Sequence, residues 1–204
     1  MNLGQLRAAV DRRTGIAIDP ASAADFVNEA NRTIAADHDW PWLATSVDFS
    51  TIDGTGSYSG TDAVPADWLR TISLRVADEV PMGHLSVNAL DDAWPSADST
   101  GTPYQFSVHA GALLLRPVPD SVLTVTHRYF RAEPELVQDS DVPLMPALFH
   151  TAIVELAAAI VLRRARESVR AAECTAAYER WSRRMLDDVR RHAGPVKVRL
   201  RGRR

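Results

Sequence analysis

The 204-residue chain has 46% hydrophobic and 24% charged residues, a globular composition that excludes global disorder and is enough for one substantial core or two small modules. Its one cysteine, Cys174, excludes an intrachain disulfide framework and reads as a small buried hydrophobe in a reducing compartment. The net charge of −3 hides a segregation: residues 1–150 carry 9 Lys and Arg against 20 Asp and Glu, residues 151–204 carry 14 against 6, and the basic end must meet the acidic body, a neighbouring copy or another partner.

Asn2 with Gln5 three residues on forms a weak capping box, and Leu3, Leu6 and Val10 give a short apolar stripe that ends near Gly15. After Ile16-Ala17-Ile18-Asp19-Pro20, Ser22 is expected to cap a second helix with Phe26, Val27, Ala30 and Ile34 on one face. The two helices should pack as an antiparallel pair. The second runs out at Asp37-His38-Asp39 into Trp40-Pro41-Trp42-Leu43, where proline favours extended backbone before it and two indoles mark the entry to a strand.

From there the period changes to two. Val47 and Phe49 alternate with Ser46 and Asp48, Asp53-Gly54-Thr55-Gly56 signals a turn, and Tyr58 to Val64 is expected to pair back. Ile72, Leu74 and Val76 predict a half-buried strand, Ser86 to Trp94 a short helix stopped by Pro95, and Tyr104 to Val108 a hairpin through His109-Ala110-Gly111 with Leu113 and Leu115. Leu123, Val125, His127 and Tyr129 share one face of a further strand. The middle is thus predicted as an antiparallel sheet or small sandwich of five to seven strands.

The last third reads as helical. Pro146 suits a first turn, and Phe149, Ile153, Leu156 and Ile160 follow one face beside Ala152 and Ala159. From Ser168, Cys174, Tyr178, Trp181, Met185 and Val189 form an apolar stripe with Arg180, Arg183, Arg184, Arg190 and Arg191 opposite, until Gly194-Pro195 ends the helix. The predicted fold is α+β: a four-helix bundle of the N-terminal pair (1–41) and a C-terminal helical hairpin (143–193), with an inserted β domain (42–142) and a basic extended tail (194–204). In that tail, Val196-Lys197-Val198-Arg199-Leu200-Arg201-Gly202-Arg203-Arg204 alternates apolar and basic residues, a pattern suited to a strand added to another protein's sheet edge.

A search for catalytic parts finds few. His84, His109, His127, His150 and His192 are scattered without the spacing that puts two imidazoles on one helix face, and Asp37-His38-Asp39 reads as helix-end hydrogen bonding. Asp91-Asp92 reads as a solvated helix face. There is no glycine-rich phosphate loop and no Gly-x-Ser-x-Gly elbow, so neither enzyme chemistry nor a cofactor is expected. No apolar run approaches the ~20 residues of a membrane span, and Met1-Asn2-Leu3-Gly4 lacks the blocks of a signal peptide, so a soluble chain without a membrane partner is expected. Arg163 and Arg164 with Arg166, Arg170 and the tail could neutralise phosphates, which keeps a basic-tailed DNA-binding or packaging accessory protein as the alternative reading.

The order of Asn28-Glu29-Ala30, Asp39-Trp40-Pro41-Trp42-Leu43, a β region and Gly101-Thr102-Pro103 resembles the head-to-tail connector, or adaptor, proteins of tailed bacteriophages. Leu114-Leu115-Arg116-Pro117-Val118-Pro119-Asp120, then Thr126-His127-Arg128-Tyr129-Phe130-Arg131, then Asp139-Ser140-Asp141-Val142-Pro143, continue it in order to a closing helical hairpin. The resemblance implies a structural virion protein, made in the host cytoplasm, that forms a twelvefold ring below the portal at the neck. It implies contacts with the portal and with the next neck or tail protein, while genomic DNA passes through the lumen without sequence-specific binding. It also implies that Val196, Lys197, Val198, Arg199, Leu200, Arg201, Arg203 and Arg204 reach the portal, that the β region faces the tail or a neighbouring subunit, and that Asp53 to Ser59 is its mobile loop. The basic residues Arg163, Arg164, Arg180, Arg183, Arg184, Arg190 and Arg191 are the candidate face toward the acidic body of the next copy.

Overall fold

A computed structural model of the chain describes residues 1–77, 79–96 and 99–192. In chain order these form α1 (Leu3–Thr14), α2 (Pro20–Asp37), β1 (Ala44–Ser50), β2 (Ser57–Tyr58), β3 (Trp68–Val76), β4 (Gly83–His84), α3 (Val87–Ala93), β5 (Gln105–His109), β6 (Ala112–Arg116), β7 (Thr124–Arg131), α4 (His150–Arg164) and α5 (Ser168–His192). The fold is α+β, with five helices and two sheets among the described residues. It divides into two units: Met1–Trp42 with the chain from Glu133 onward, and Leu43–Ala132.

The helical unit starts with a reciprocal cap. The Asn2 side chain accepts from Gln5 N at 2.9 Å while Gln5 Oε1 accepts from Asn2 N at 3.0 Å, and Gly15, at φ 65°, closes α1 by donating to Asp11 O. The expected cap of α2 shifts by three residues. Asp19 accepts from Ser22 N at 3.0 Å and Pro20 occupies the first turn, so the helix begins before Ser22. The proline needs no hydrogen-bond partner at that position, and the carboxylate ahead of it can satisfy an orphan N–H.

At the other end of α2, buried Trp40 turns its indole back and donates to Ile34 O at 2.6 Å, one of the carbonyls the helix end leaves open. Its ring stacks on Trp42 with centroids 4.7 Å apart, and Trp42 reaches Phe149 at 6.3 Å. Residues 133–149 fold back onto the helices. Leu3 N donates to Asp141 O at 2.8 Å, and the buried Asn28 amide exchanges two 2.9 Å hydrogen bonds with the backbone of Leu136. Pro146 leads through a single 3-10 turn, Ala147–Phe149, into α4.

A one-sided stripe was the expectation for α4, and the structure differs. Val154, Ala157, Ala158 and Val161 are buried as well as Ile153 and Leu156, while Ile160 is only half-buried. The reason is that α4 contacts α1, α2 and α5, so it has no solvent face along most of its length. Helix α5 is amphipathic as expected: Ala171, Cys174, Ala177 and Met185 are buried, and its arginines are exposed. The predicted stop at Gly194-Pro195 lies outside the described residues.

The β unit is two sheets face to face, ordered β1-β7-β3 and β2-β6-β5-β4. Phe49, Leu74, Val76 and Val125 from the first meet Tyr58, Phe106, Leu113 and Leu115 from the second in one apolar cluster. The β5–β6 hairpin forms as predicted, through Ala110 and Gly111 at φ 48° and 74°, the left-handed pair that suits a two-residue turn. Three expectations fail. Tyr58 to Val64 does not pair back: only Ser57–Tyr58 is strand, it joins β6, and the Tyr58 hydroxyl ties its own loop through Ile52 and Thr55. Ile72 is 44% exposed rather than on the core face, because β3 slips register between Thr71 and Ser73. Finally, the sheets are not wholly antiparallel, since β4 pairs parallel with β5.

Candidate functional site

On α5 the spacing of Arg180, Arg183, Arg184, Arg190 and Arg191 at 100° per residue places all five within an arc of about 120°, opposite the buried stripe. All are exposed, yet several are engaged within the helix. Arg183 pairs with Glu179 at 3.7 Å, Arg190 with Asp187 at 3.7 Å, Arg184 lies over the Trp181 ring at 5.2 Å, and Arg191 Nε donates to Asp187 O at 3.3 Å. Such exposed pairs hold side chains loosely and leave the stripe available to a partner.

Arg163 and Arg164 form a separate group where α4 ends. Arg163 donates to Thr175 Oγ1 at 3.3 Å; Arg164 lies over Phe26 at 4.6 Å and reaches Glu29 at 3.6 Å. From Thr175 to Arg191 is roughly 24 Å along the helix, so the seven arginines make a strip rather than one cluster. Arg170, exposed near this group, donates from Nη2 to Thr14 O at 2.6 Å at the end of α1. The tail residues Val196, Lys197, Val198, Arg199, Leu200, Arg201, Arg203 and Arg204 lie outside the described residues.

The ionisable groups with chemical potential are spent on structure. His127 is fully buried; Nδ1 donates to Ala63 O at 2.8 Å and Nε2 accepts from Thr71 Oγ1 at 2.9 Å, which in turn accepts from Trp68 Nε1 at 3.1 Å. Burial pushes the His127 pKa down. His150, also buried, donates from Nε2 to Met145 O at 2.8 Å and accepts at Nδ1 from the Met1 ammonium at 2.5 Å, and burial lowers its pKa too. In Asp37-His38-Asp39, Asp37 accepts from the Tyr178 hydroxyl at 2.7 Å and His38 meets the edge of Trp40 at 5.1 Å. The Tyr178 pKa rises through burial and through that carboxylate. The Cys174 thiol is buried, which raises its pKa.

Among the described residues no group of three His, Cys, Asp or Glu is placed to hold a metal ion, and no helix is long and apolar enough to cross a membrane. A groove of about 620 Å³ along Val47–Ile52 and Tyr58–Ala63 is lined by Asp48, Asp62 and hydroxyl groups, without an imidazole or thiol beside them. Sequence reading missed a second basic surface, formed by Arg75 and Arg128. These residues are 53 positions apart, and only the registers of β3 and β7 bring them to one sheet face, so no local signal marks it.

No curated protein matches the chain. A protein-family model, SU10 adaptor protein, matches residues 1–199, nearly the full length. The chain therefore belongs to the SU10 adaptor protein family, a family of phage head–tail adaptors.

Proposed function

We propose that this structural phage adaptor assembles as a ring of twelve copies below the portal, at the neck of the virion, and presents a surface to the next neck or tail protein. Family membership over residues 1–199 is the observation that carries the reading. In this reading α1, α2, α4 and α5 form a four-helix bundle, residues 42–142 act as an inserted β module, and 194–204 as a separate extended element. The segment Val196–Arg204 binds the portal. Arg163, Arg164 and the α5 arginines face the acidic body of the next copy, and the segregation of charge along the chain supports a heterologous, closing contact of this kind. Genomic DNA passes through the lumen without sequence-specific binding, which an excess of Asp and Glu in the first 150 residues favours by repulsion.

The competing reading, a DNA-binding or packaging accessory protein, draws on the exposed α5 stripe. Against it stands the acidic body, whose 20 Asp and Glu against 9 Lys and Arg in residues 1–150 would repel a duplex wherever they face it. The test is light-scattering mass on a size-exclusion column, with the chain mixed with portal rings of the same phage, for the full chain and for one ending at Gly194. The full chain alone should shift the portal peak by many copies. Co-migration of neither removes the portal role; co-migration of both removes the tail assignment. Tight, steeply salt-dependent binding of free duplex would favour the DNA reading instead.

A further inference from the structure

The solvent side of the β1-β7-β3 sheet is the least acidic part of an acidic unit. Residues 43–132 contain 10 Asp and Glu against 5 Arg, and the three exposed arginines, Arg70, Arg75 and Arg128, all lie on this face. Register places them: Arg128 stands between Ser46 and Ser73, Arg75 is opposite Thr126, and Arg70 is opposite Phe130. Residues opposite one another share a face, and the alternate residues Val125, His127 and Tyr129 point into the core. Among the described residues Arg75 and Arg128 have no carboxylate within ion-pair distance.

On the other sheet, the only helix of this unit among the described residues is acidic. Helix α3 lies against β5 through a 2.6 Å hydrogen bond from Trp94 Nε1 to Gln105 Oε1. Gln105 precedes core-facing Phe106, so it belongs to the face turned away from the core. Asp91 and Asp92 on α3 are exposed and, among the described residues, have no cationic partner. Exposed Tyr104 lies against the ring of Trp94, the residue that follows the helix. One sandwich thus carries a basic face and an acidic helix on its two opposite sides.

We propose that these two sides are the halves of one contact between copies, in which the Arg75–Arg128 face of one chain receives the Asp91–Asp92 helix of the next. The inference rests on the ring reading above and names a second seam for it, in the β unit and separate from the α5 stripe. Halves on opposite sides of a unit join head to tail, and repetition of such a contact closes a ring when the rotation allows. The composition favours protein over nucleic acid as the occupant. Half-exposed Ile72 and half-buried Phe130 accompany the arginines, the mixture of cation and apolar surface found at protein contacts.

The test is a charge exchange in the full chain. Assembly is followed by mass against concentration, alone and on portal rings, for Arg75→Glu/Arg128→Glu, for Asp91→Arg/Asp92→Arg and for the chain carrying all four. Each double variant should raise the concentration for half-assembly at least about tenfold, and the fourfold variant, with complementary charge restored, should return near the unaltered chain. Melting curves check folding, and the milder Arg75→Gln/Arg128→Gln, expected to weaken assembly to a lesser degree, stands in if the reversals do not fold. Rings unchanged in the double or glutamine variants, or a folded fourfold variant that does not recover, overturn the contact while leaving the ring. An unaltered chain that forms no ring under either condition overturns the ring reading and this contact with it.

Discussion

Around α4 the buried side chains include Ala152, Ala157, Ala158 and Ala159, so its neighbours approach nearly to the backbone; between the two sheets the space is filled by Phe49, Tyr58, Phe106, Leu113 and Leu115. The helical unit is tight because its central element is small, and the β unit because its side chains are large. The two should therefore fail in opposite directions. Volume added at α4 has nowhere to go, whereas volume removed from the sandwich leaves a cavity that two hydrogen-bonded sheets do not readily close.

The largest effect is expected in the sandwich. Phe106→Ala should destabilise by about 3–5 kcal/mol, read from denaturant unfolding, because Phe106 is 2% exposed and central to the cluster. The opposite substitution tests the other unit: Ala158→Leu should cost about 1–3 kcal/mol through overpacking against α5, whose Cys174 shares that cluster. If both units respond to lost volume alone, the contrast drawn above is broken.

Acid should act on both units with the same sign. His127 in the sandwich and His150 in the helical unit have folded pKa values below the ordinary 6.5, so around pH 6 the unfolded chain binds more protons. Stability is then complete above 6.5 and is lost as pH falls through it, with a slope of up to about 1.4 kcal/mol per pH unit for each histidine. Melting curves from pH 7.5 to 5 read this, and His127→Gln should flatten the slope by one proton. The smallest effects belong to the caps. Asn2→Ala, which removes the side-chain oxygen that accepts from Gln5 N and leaves the backbone N–H of residue 2 to Gln5 Oε1, should cost about 1 kcal/mol. Ser86→Ala, which removes one 3.3 Å bond on the seven-residue α3, should cost less.

What was legible in the chain was local. Asn2 with Gln5, Gly15, Ser86 and His109-Ala110-Gly111 announce elements whose defining bonds span only a few residues, and those elements are present. The alternation of Val125, His127 and Tyr129 likewise gives the core face of β7. What was not legible depends on distant pairing. Ala44 meets Phe130 across the chain, the slip near Thr71 turns Ile72 outward, and the burial of α4 on nearly every side needs three other helices to be in place. The same division runs through the candidate surfaces. Helical periodicity exposes the α5 arginine strip in one segment, whereas Arg75 and Arg128 become neighbours only through sheet register.

The central claim is that many copies of this adaptor close into a ring on the portal. The most direct measurement is the mass of the complex purified from a mixture of the full chain and portal rings, by native mass spectrometry. Twelve copies of the 22.4 kDa chain per portal ring is the expected result. A portal that carries no adaptor, or only one or two copies at saturating concentration, would contradict it.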